Sequence, residues 1–207
     1  MSPPVYSGTG MQTGSGSHGA AGGDAEARGR VLLMDREDVE ARLDALADDI
    51  LEAGGHQDLV LVGIRRRGVQ LANRLADIVR EKTGRQVPTG SLDITLYRDD
   101  FAQIGPRPLI GSTELPSEIS DHRVVIVDDV LYTGRTVRAA LDEIADFGRP
   151  RRIELCVLVD RGGRELPIQP DYVGRAVEVE SGRQVAVSVP EIDDDLAVHT
   201  VPEEPEE

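Results

Sequence analysis

The chain has 207 residues, the size of one ordinary domain with or without tails, and carries a net charge of −15. Such a polyanion repels nucleic acid unless a local basic patch overcomes its field, so composition argues against a nonspecific nucleic-acid binder. The longest apolar runs are strand-sized, the single cysteine cannot form an internal disulfide, and no charged and then apolar leader opens the chain. These features predict a soluble, cytoplasmic protein with no membrane partner.

The two ends of the chain differ in composition from the rest. Residues 1–29 are rich in Gly, Ser and Ala, and such a segment cannot bury enough apolar area to offset the entropy of ordering it. Residues 191–207 carry eight acidic residues and no Lys or Arg. The sequence therefore predicts a disordered tail at 1–29, one folded domain at 30–192 and an acidic tail at 193–207.

Between these ends, apolar strands alternate with amphipathic helices. Strands are predicted at 31–34, 59–64, 91–98, 123–127, 153–159, 176–179 and 185–189. Helices are predicted at 35–53, from 69 to about 84, and at 136–147. Asp35 is the expected cap of the first helix, and its predicted buried face is formed by Val39, Leu43, Leu46 and Ile50. The residues of the third helix predicted to face inward are Val137, Ala140, Leu141 and Ile144. Because the central strands are continuously apolar, they indicate an α/β fold with a mainly parallel sheet covered by helices on both faces. The long segment 99–122, which has several Gly and Pro residues, is typical of a functional lid or of disorder.

The most informative segment joins an apolar strand to a turn and a helix. The strand delivers Asp128 and Asp129 to the carboxyl edge of the sheet, where open α/β sheets bind ligands. The N-terminus of the following helix offers N–H groups to an anion, Gly134 lets the backbone approach closely, and Thr133 and Thr136 add hydroxyl donors. Paired carboxylates beside an anion site suit the hydroxyls of a ribose. The segment therefore predicts a holder for ribose 5-phosphate.

A second anion site is predicted in the turn after strand 59–64. Arg65, Arg66 and Arg67 precede Gly68 there, and guanidinium groups present forked donors to phosphate oxygens. The alternative is a solvated basic turn. The position between a buried strand and a helix favours the functional interpretation.

Residues 124–136 resemble the signature of type I phosphoribosyltransferases, which bind 5-phosphoribosyl 1-pyrophosphate (PRPP). Residues 92–100 and 157–174 narrow the resemblance to the PyrR family, the pyrimidine-operon regulators that are also uracil phosphoribosyltransferases. The resemblance implies the type I phosphoribosyltransferase fold, with a small hood and a flexible lid loop. It also implies that the chain makes UMP and diphosphate from uracil and PRPP, with Mg²⁺ carried by PRPP, and that it forms homo-oligomers.

The resemblance also implies a role for each matching residue. Asp128 and Asp129 are expected to be catalytic together with Arg98, which belongs to a loop that closes over the reacting centre. PRPP and its 5-phosphate are expected on Val130, Leu131, Tyr132, Thr133, Gly134, Arg135 and Thr136. Pyrophosphate is expected on Arg65, Arg66, Arg67 and Gly68. The base is expected on Asp160 and Arg161. No protein-held metal site is expected, because the histidines lack metal-ligand spacing.

The resemblance also implies binding of a pyrimidine (pyr) operon leader mRNA, which would make the chain a UMP-dependent transcription attenuator. The charge of the first helix argues against this role. The predicted first helix has eight acidic residues and only two arginines, so its solvent face is anionic. Five arginines remain as candidate phosphate contacts, namely Arg149, Arg151, Arg152, Arg164 and Arg175. Three functions therefore stay open: a uracil transferase, a nucleotide-sensing RNA-binding regulator, and a type I transferase for another base.

Overall fold

The computed structural model describes residues 29–94, 113–116 and 119–203. Its centre is a five-stranded sheet in which every neighbouring pair of strands is parallel. The strands are β2 (Leu59–Ile64), β3 (Thr89–Leu92), β4 (Arg123–Leu131), β5 (Arg152–Asp160) and β6 (Tyr172–Ala176). Their order across the sheet is β3-β2-β4-β5-β6. The predicted parallel α/β architecture is thus present.

Helices cover both faces of this sheet. They are α1 (Arg36–Gly54), α2 (Arg67–Thr83) and α3 (Arg135–Phe147). Successive side chains of a strand point to opposite faces, so Leu61 packs in the cluster that holds α1 and α2, whereas Val60 and Val62 pack in the cluster that holds α3. The alternation gives the sheet two separate apolar cores, which explains why its central strands are apolar throughout.

The first helix starts and packs as its sequence predicts. Asp35 is its N-cap, and the side chain accepts a hydrogen bond of 2.9 Å from the main-chain N–H of Asp38. The buried residues of α1 include the predicted apolar stripe of Val39, Leu43, Leu46 and Ile50. The third helix differs from its predicted buried face, because Leu141 is exposed, whereas Glu143 is buried and accepts a hydrogen bond from the Thr113 hydroxyl.

A second, antiparallel sheet forms a hood beside the carboxyl edge of the main sheet. It contains β1 (Val31–Met34), β7 (Arg183–Ser188) and β8 (Ala197–Pro202) in the order β1-β8-β7. The short helix α4 (Pro190–Asp193) lies between β7 and β8. One strand of the hood comes from the start of the domain and two from its end, so the hood holds the two ends of the folded chain together.

Further sequence predictions are wrong. The strand predicted at 91–98 corresponds to β3, which begins at Thr89 and ends at Leu92, and the described residues 93–94 are not part of a strand. The prediction of an acidic tail at 193–207 is wrong for residues 193–203. Leu196, Ala197 and Val198 are buried there, and β8 pairs with both β1 and β7. The strand predicted at 176–179 lies earlier in the chain, because β6 begins at Tyr172, which pairs with Cys156 of β5, and ends at Ala176. Residues 1–28, 95–112, 117–118 and 204–207 lie outside the described residues, and with them most of the predicted lid and of the Gly-rich tail.

None of the helices in the described part of the chain combines the length and the apolar character needed to cross a membrane.

Candidate active site

Two adjacent carboxylates lie near the carboxyl end of β4. Asp128 is 6% exposed and Asp129 is half-buried. The main-chain N–H of Asp129 donates to Asp128 Oδ1, and that of Val130 donates to Asp129 Oδ1, each over 3.0 Å. These local hydrogen bonds orient both carboxylates on the strand that the sequence assigned to them.

Burial raises the pKa of Asp128 well above its ordinary value, and the negative charge of Asp129 raises it further. The hydrogen bond that Asp128 accepts from the main-chain N–H of Asp129 lowers the pKa of Asp128. Burial and the neighbouring charge therefore both favour the neutral form of Asp128. A neutral carboxyl can donate as well as accept a hydrogen bond, which suits contacts with sugar hydroxyls.

The turn after β4 exposes the N-terminus of α3 as an anion site. Gly134 is the N-cap residue, has a φ of +92°, and no side chain caps the helix. Thr133 orients the turn because its carbonyl oxygen accepts N–H groups from Glu165 and Leu166, over 3.0 and 3.1 Å. The N–H of Arg135, the first residue of this 13-residue helix, donates to the Thr133 hydroxyl over 3.3 Å. The positive end of the helix dipole lies at the same turn and favours an anion there.

The turn formed by Arg65, Arg66, Arg67 and Gly68, here called the arginine turn, lies directly against the aspartates. A Cβ on Gly68 would lie 2.5 Å from the carbonyl oxygen of Val127 and 3.3 Å from Cα of Asp128. Only a glycine permits this approach, so the start of α2 is in backbone contact with β4. The main-chain N–H of Arg65 donates to Leu92 over 2.9 Å. The peptide bond between Arg65 and Arg66 is cis.

The third arginine of this turn is held by a residue of the hood. Arg67 donates from Nε to Oδ2 of Asp193 over 3.0 Å and from Nη2 to Oδ1 over 2.9 Å. The charge of Asp129 also reaches Arg67, and both carboxylates raise the pKa of the guanidinium. Asp193 is a functional candidate that was not predicted from the sequence, because its acidic run resembles a tail. The mixed apolar and acidic pattern from 189 to 198 was the signal for a folded segment.

The expected base-binding residues lie beside the turn after β4 (residues 132–134), here called the phosphate turn. The Arg161 guanidinium stacks on the ring of Tyr132, with 3.9 Å from Cζ to the ring centroid. Asp160 accepts a hydrogen bond of 2.7 Å from Arg164, which also donates to the Tyr132 carbonyl over 3.0 Å. The segment after β5 is therefore fixed to the turn after β4 by both backbone and side-chain contacts.

The geometry thus brings three groups of predicted residues to one edge of the sheet: the aspartates, the phosphate turn and the arginine turn. The turn at 160–161 borders them, and Arg98 lies outside the described residues. The described residues hold no group of three or more His, Cys, Asp or Glu that could hold a metal ion. Cys156 is buried in the core, and burial raises the pKa of its thiol to about 12, so it has no nucleophilic thiolate near neutral pH.

Comparison with known proteins identifies the family. A family model described as a phosphoribosyl transferase domain matches residues 33–195. The bifunctional protein PyrR of Pelotomaculum thermopropionicum is 53% identical over 168 residues, which is 81% of this chain and 93% of that relative. The bifunctional protein PyrR of Thermus aquaticus is 50% identical over 167 residues, 80% of this chain and 92% of that relative.

Solved structures confirm the fold. A hypoxanthine-guanine phosphoribosyltransferase from Bacillus anthracis superposes with a TM-score of 0.64 at 17% identity, covering 83% of this chain and 97% of that chain. A hypoxanthine phosphoribosyltransferase from Staphylococcus aureus superposes with a TM-score of 0.62 at 20% identity, covering 84% of this chain and 92% of that chain. The type I phosphoribosyltransferase fold predicted from the sequence is therefore confirmed. The matching domain, the fold and identities of about half over most of the chain establish that this chain belongs to the PyrR family of phosphoribosyltransferases.

Proposed function

We infer that this chain is a uracil phosphoribosyltransferase, which forms UMP and diphosphate from uracil and PRPP. The observation that carries this inference is that one edge of the sheet holds Asp128 and Asp129, the N-terminus of α3 and the arginine turn. The chain that forms this sheet belongs to the PyrR family. A sugar, its 5-phosphate and its 1-pyrophosphate need three such sites next to one another.

Each part of PRPP has a chemically suitable partner. The 5-phosphate is proposed to bind the N-terminus of α3 and the hydroxyls of Thr133 and Thr136, because helix N–H groups and hydroxyls are donors to a dianion. The ribose hydroxyls are proposed to bind Asp128 and Asp129. The pyrophosphate is proposed to bind the arginine turn, where forked guanidinium donors match phosphate oxygens. Uracil is proposed to lie by Asp160 and Arg161.

The reaction breaks the bond from C1 of the ribose to the pyrophosphate oxygen and forms a bond from C1 to N1 of uracil. The N1–H bond of uracil breaks in the same reaction, and the departing diphosphate takes up the proton. Positive charge develops on the ribose ring, and negative charge develops on the leaving pyrophosphate. Carboxylates beside the ring and guanidinium groups beside the pyrophosphate stabilise these charges through fixed electrostatics. Mg²⁺ enters as part of the substrate, bound to PRPP oxygens, and neutralises part of the pyrophosphate charge.

The choice of base is tested by steady-state formation of nucleotide. The full chain is incubated with Mg²⁺–PRPP and with uracil, hypoxanthine or guanine in separate reactions. UMP formation from uracil without IMP or GMP formation supports the proposed function. Nucleotide formation from a purine and none from uracil supports the alternative of a type I transferase for another base, and release of diphosphate without nucleotide contradicts both.

A regulatory role on pyr leader mRNA is a second candidate, because the relatives are named bifunctional proteins. The surface gives it little support. Of the five candidate arginines, Arg151 pairs with Asp58, Arg152 with Glu154, and Arg164 with Asp160. A gel shift with the transcript upstream of the gene tests the role, with and without UMP. A UMP-dependent shift at physiological salt supports attenuation, and no shift at micromolar protein contradicts it.

Self-association is proposed as well. Edge strands β1 and β6 meet where Arg175 donates to the carbonyl of Leu33, and the neighbouring Val31, Leu32 and Val173 are exposed apolar residues. Such side chains on adjacent edges suit a contact between copies of the chain. Light scattering coupled to gel filtration measures the mass, and a monomer at all concentrations contradicts this proposal.

A further inference from the structure

Two ion pairs connect the short hood helix α4 to α2, and they differ in position and geometry. Asp193 binds Arg67 through both carboxylate oxygens, at the first residue of α2 and beside the aspartates. Glu191 binds Arg74 through one oxygen over 2.8 Å, two turns further along α2 and away from the sheet edge. The two contacts tie the same pair of helices, but only the first involves a residue of the proposed pyrophosphate site.

The Asp193 carboxylate is itself anchored to the hood. Its Oδ2 accepts the main-chain N–H of Val189 over 3.0 Å in addition to the Arg67 Nε, so backbone and guanidinium fix it together. Its side chain is 24% exposed, and a charged pair at this degree of burial is held more firmly than one on the surface. The hydrogen bonds from Arg67 hold the pKa of Asp193 below its ordinary value, so the carboxylate is charged across the neutral range.

The two hydrogen bonds determine which edge of the guanidinium is presented. They engage the edge that carries Nε and Nη2, so the group can rotate neither about its long axis nor out of the carboxylate plane. Nη1 lies on the other edge, and the charge of Asp129 reaches the same guanidinium from the side of the proposed ribose site. A cavity of about 750 Å³ borders both Arg67 and Asp193 and is otherwise lined by residues of the hood, so the pair is accessible from that side.

We propose that Asp193 is a positioning residue that fixes the Arg67 guanidinium for the pyrophosphate of PRPP. The proposal rests on the assignment of PRPP as substrate and extends it to a hood residue. A long arginine side chain loses rotamer freedom when it binds a ligand, and a partner that fixes it beforehand lowers this cost. The hood thereby contributes to recognition of the leaving group as well as covering the site.

If Asp193 inhibited PRPP binding instead of positioning Arg67, its removal would change PRPP affinity in the opposite direction. If Asp193 competed with pyrophosphate for Arg67, its removal would free the guanidinium and PRPP would bind more tightly. If Asp193 positions Arg67, its removal leaves a mobile guanidinium and PRPP binds more weakly. The sign of the change in PRPP affinity therefore separates positioning from inhibition.

The experiment is calorimetric titration of the full chain with Mg²⁺–PRPP and, separately, with UMP. For Asp193→Asn we expect PRPP affinity to fall about tenfold or more. UMP affinity should stay within about twofold of the unmodified chain, because UMP has no pyrophosphate to reach Arg67. Glu191→Gln is the matched control, since it loses the other α4–α2 ion pair, and it should leave both affinities unchanged.

A double-variant cycle tests whether Asp193 acts through Arg67. Arg67→Gln alone should weaken PRPP binding, and adding Asp193→Asn should produce no further loss. Asp193→Glu, which keeps the charge, should recover part of the affinity. In steady-state assays, KM for PRPP should rise for Asp193→Asn while KM for uracil does not change.

The proposal is overturned by tighter or unchanged PRPP binding in Asp193→Asn, by an equal loss in Glu191→Gln, or by full additivity with Arg67→Gln. A variant that has lost its UMP binding has lost its fold, and the Asp193→Glu variant then decides by the same criteria. Binding needs no turnover, so a chain that binds PRPP in an Asp193-dependent way but makes no UMP contradicts the proposed base and leaves the positioning role intact.

Discussion

At the scale of single residues, the two carboxylates of β4 have different surroundings despite being neighbours in the chain. Asp128 is almost fully buried, with its pKa raised, whereas Asp129 is half-buried and its charge reaches Arg67. The half-buried carboxylate of Asp129 can therefore contact both a ribose ring and the arginine turn. We therefore assign the larger catalytic contribution to Asp129.

For Asp129→Asn we expect UMP formation to fall on the order of 10²–10³-fold, the range measured when a preorganised polar contact to a transition state is lost. The amide keeps the size of the carboxylate and removes the charge that faces the developing positive ring. Steady-state turnover at saturating PRPP and uracil measures the effect. Turnover close to that of the unmodified chain would remove Asp129 from the site.

The raised pKa of Asp128 makes a different prediction, about stability. Because its folded pKa lies above the unfolded value, the stability contributed by the protonated carboxyl is present at low pH and is lost as the pH rises through the folded pKa. Asp128→Asn stays neutral and avoids this loss. Its Tm should exceed that of the unmodified chain at pH 8, and the difference should vanish near pH 4, close to the ordinary carboxyl value. A Tm difference independent of pH would contradict this explanation.

At the scale of elements, the site depends on how closely α2 approaches β4. Gly68→Ala would place a methyl group 2.5 Å from the Val127 carbonyl oxygen, so the start of α2 must move away from the aspartates. We expect PRPP affinity and UMP formation to fall by about 100-fold, since a displacement on the order of 1 Å costs that much in positioned catalysis. The readouts are calorimetry and turnover.

The control for that variant is Gly84→Ala at the other end of α2. Gly84 has a φ of +70° and open space where a Cβ would be placed, so alanine there strains the backbone without moving the site. It should lower the free energy of unfolding by about 1 kcal/mol and leave PRPP affinity unchanged. An equal loss of affinity in both variants would show that α2 transmits general instability rather than a local displacement.

Local patterns were sufficient to predict the elements whose stabilising contacts are regular along the chain. The Asp35 cap and the apolar stripe of α1 are such cases, as is the strand, turn and helix around Gly134. Strand β8 was missed although its partner β7 precedes it closely in the chain, because its acidic flanks mimic a solvated tail and its other partner, β1, is about 165 residues away. The same holds for the Arg67–Asp193 contact, which exists only after the hood has formed.

At the scale of the whole molecule, the proposed site and the main buried charge cluster lie at opposite edges of the sheet. Arg123, the first residue of β4, donates to Glu154 over 2.7 Å and to the hydroxyl of Tyr172 over 2.7 Å. It also donates to the carbonyl oxygens of Ile50 and Gly55 at the end of α1. One guanidinium thus joins three strands and a helix at the amino edge, far along the sheet from the aspartates.

This separation predicts that stability and catalysis can be changed independently. In Glu154→Gln the buried Arg123 loses its charged partner, and an uncompensated buried charge costs about 3–5 kcal/mol of unfolding free energy. Because the variant keeps the shape of the side chain and the carboxyl edge is untouched, turnover by the folded fraction should stay within about twofold of the unmodified chain. Urea unfolding and UMP formation at low temperature measure the two quantities.

Asp58→Asn removes the exposed pair with Arg151 at the same edge and should change stability by less than about 1 kcal/mol. A comparable loss in both variants, or a selective loss of turnover in Glu154→Gln, would show that the amino-edge cluster is not the separate structural support inferred from its contacts.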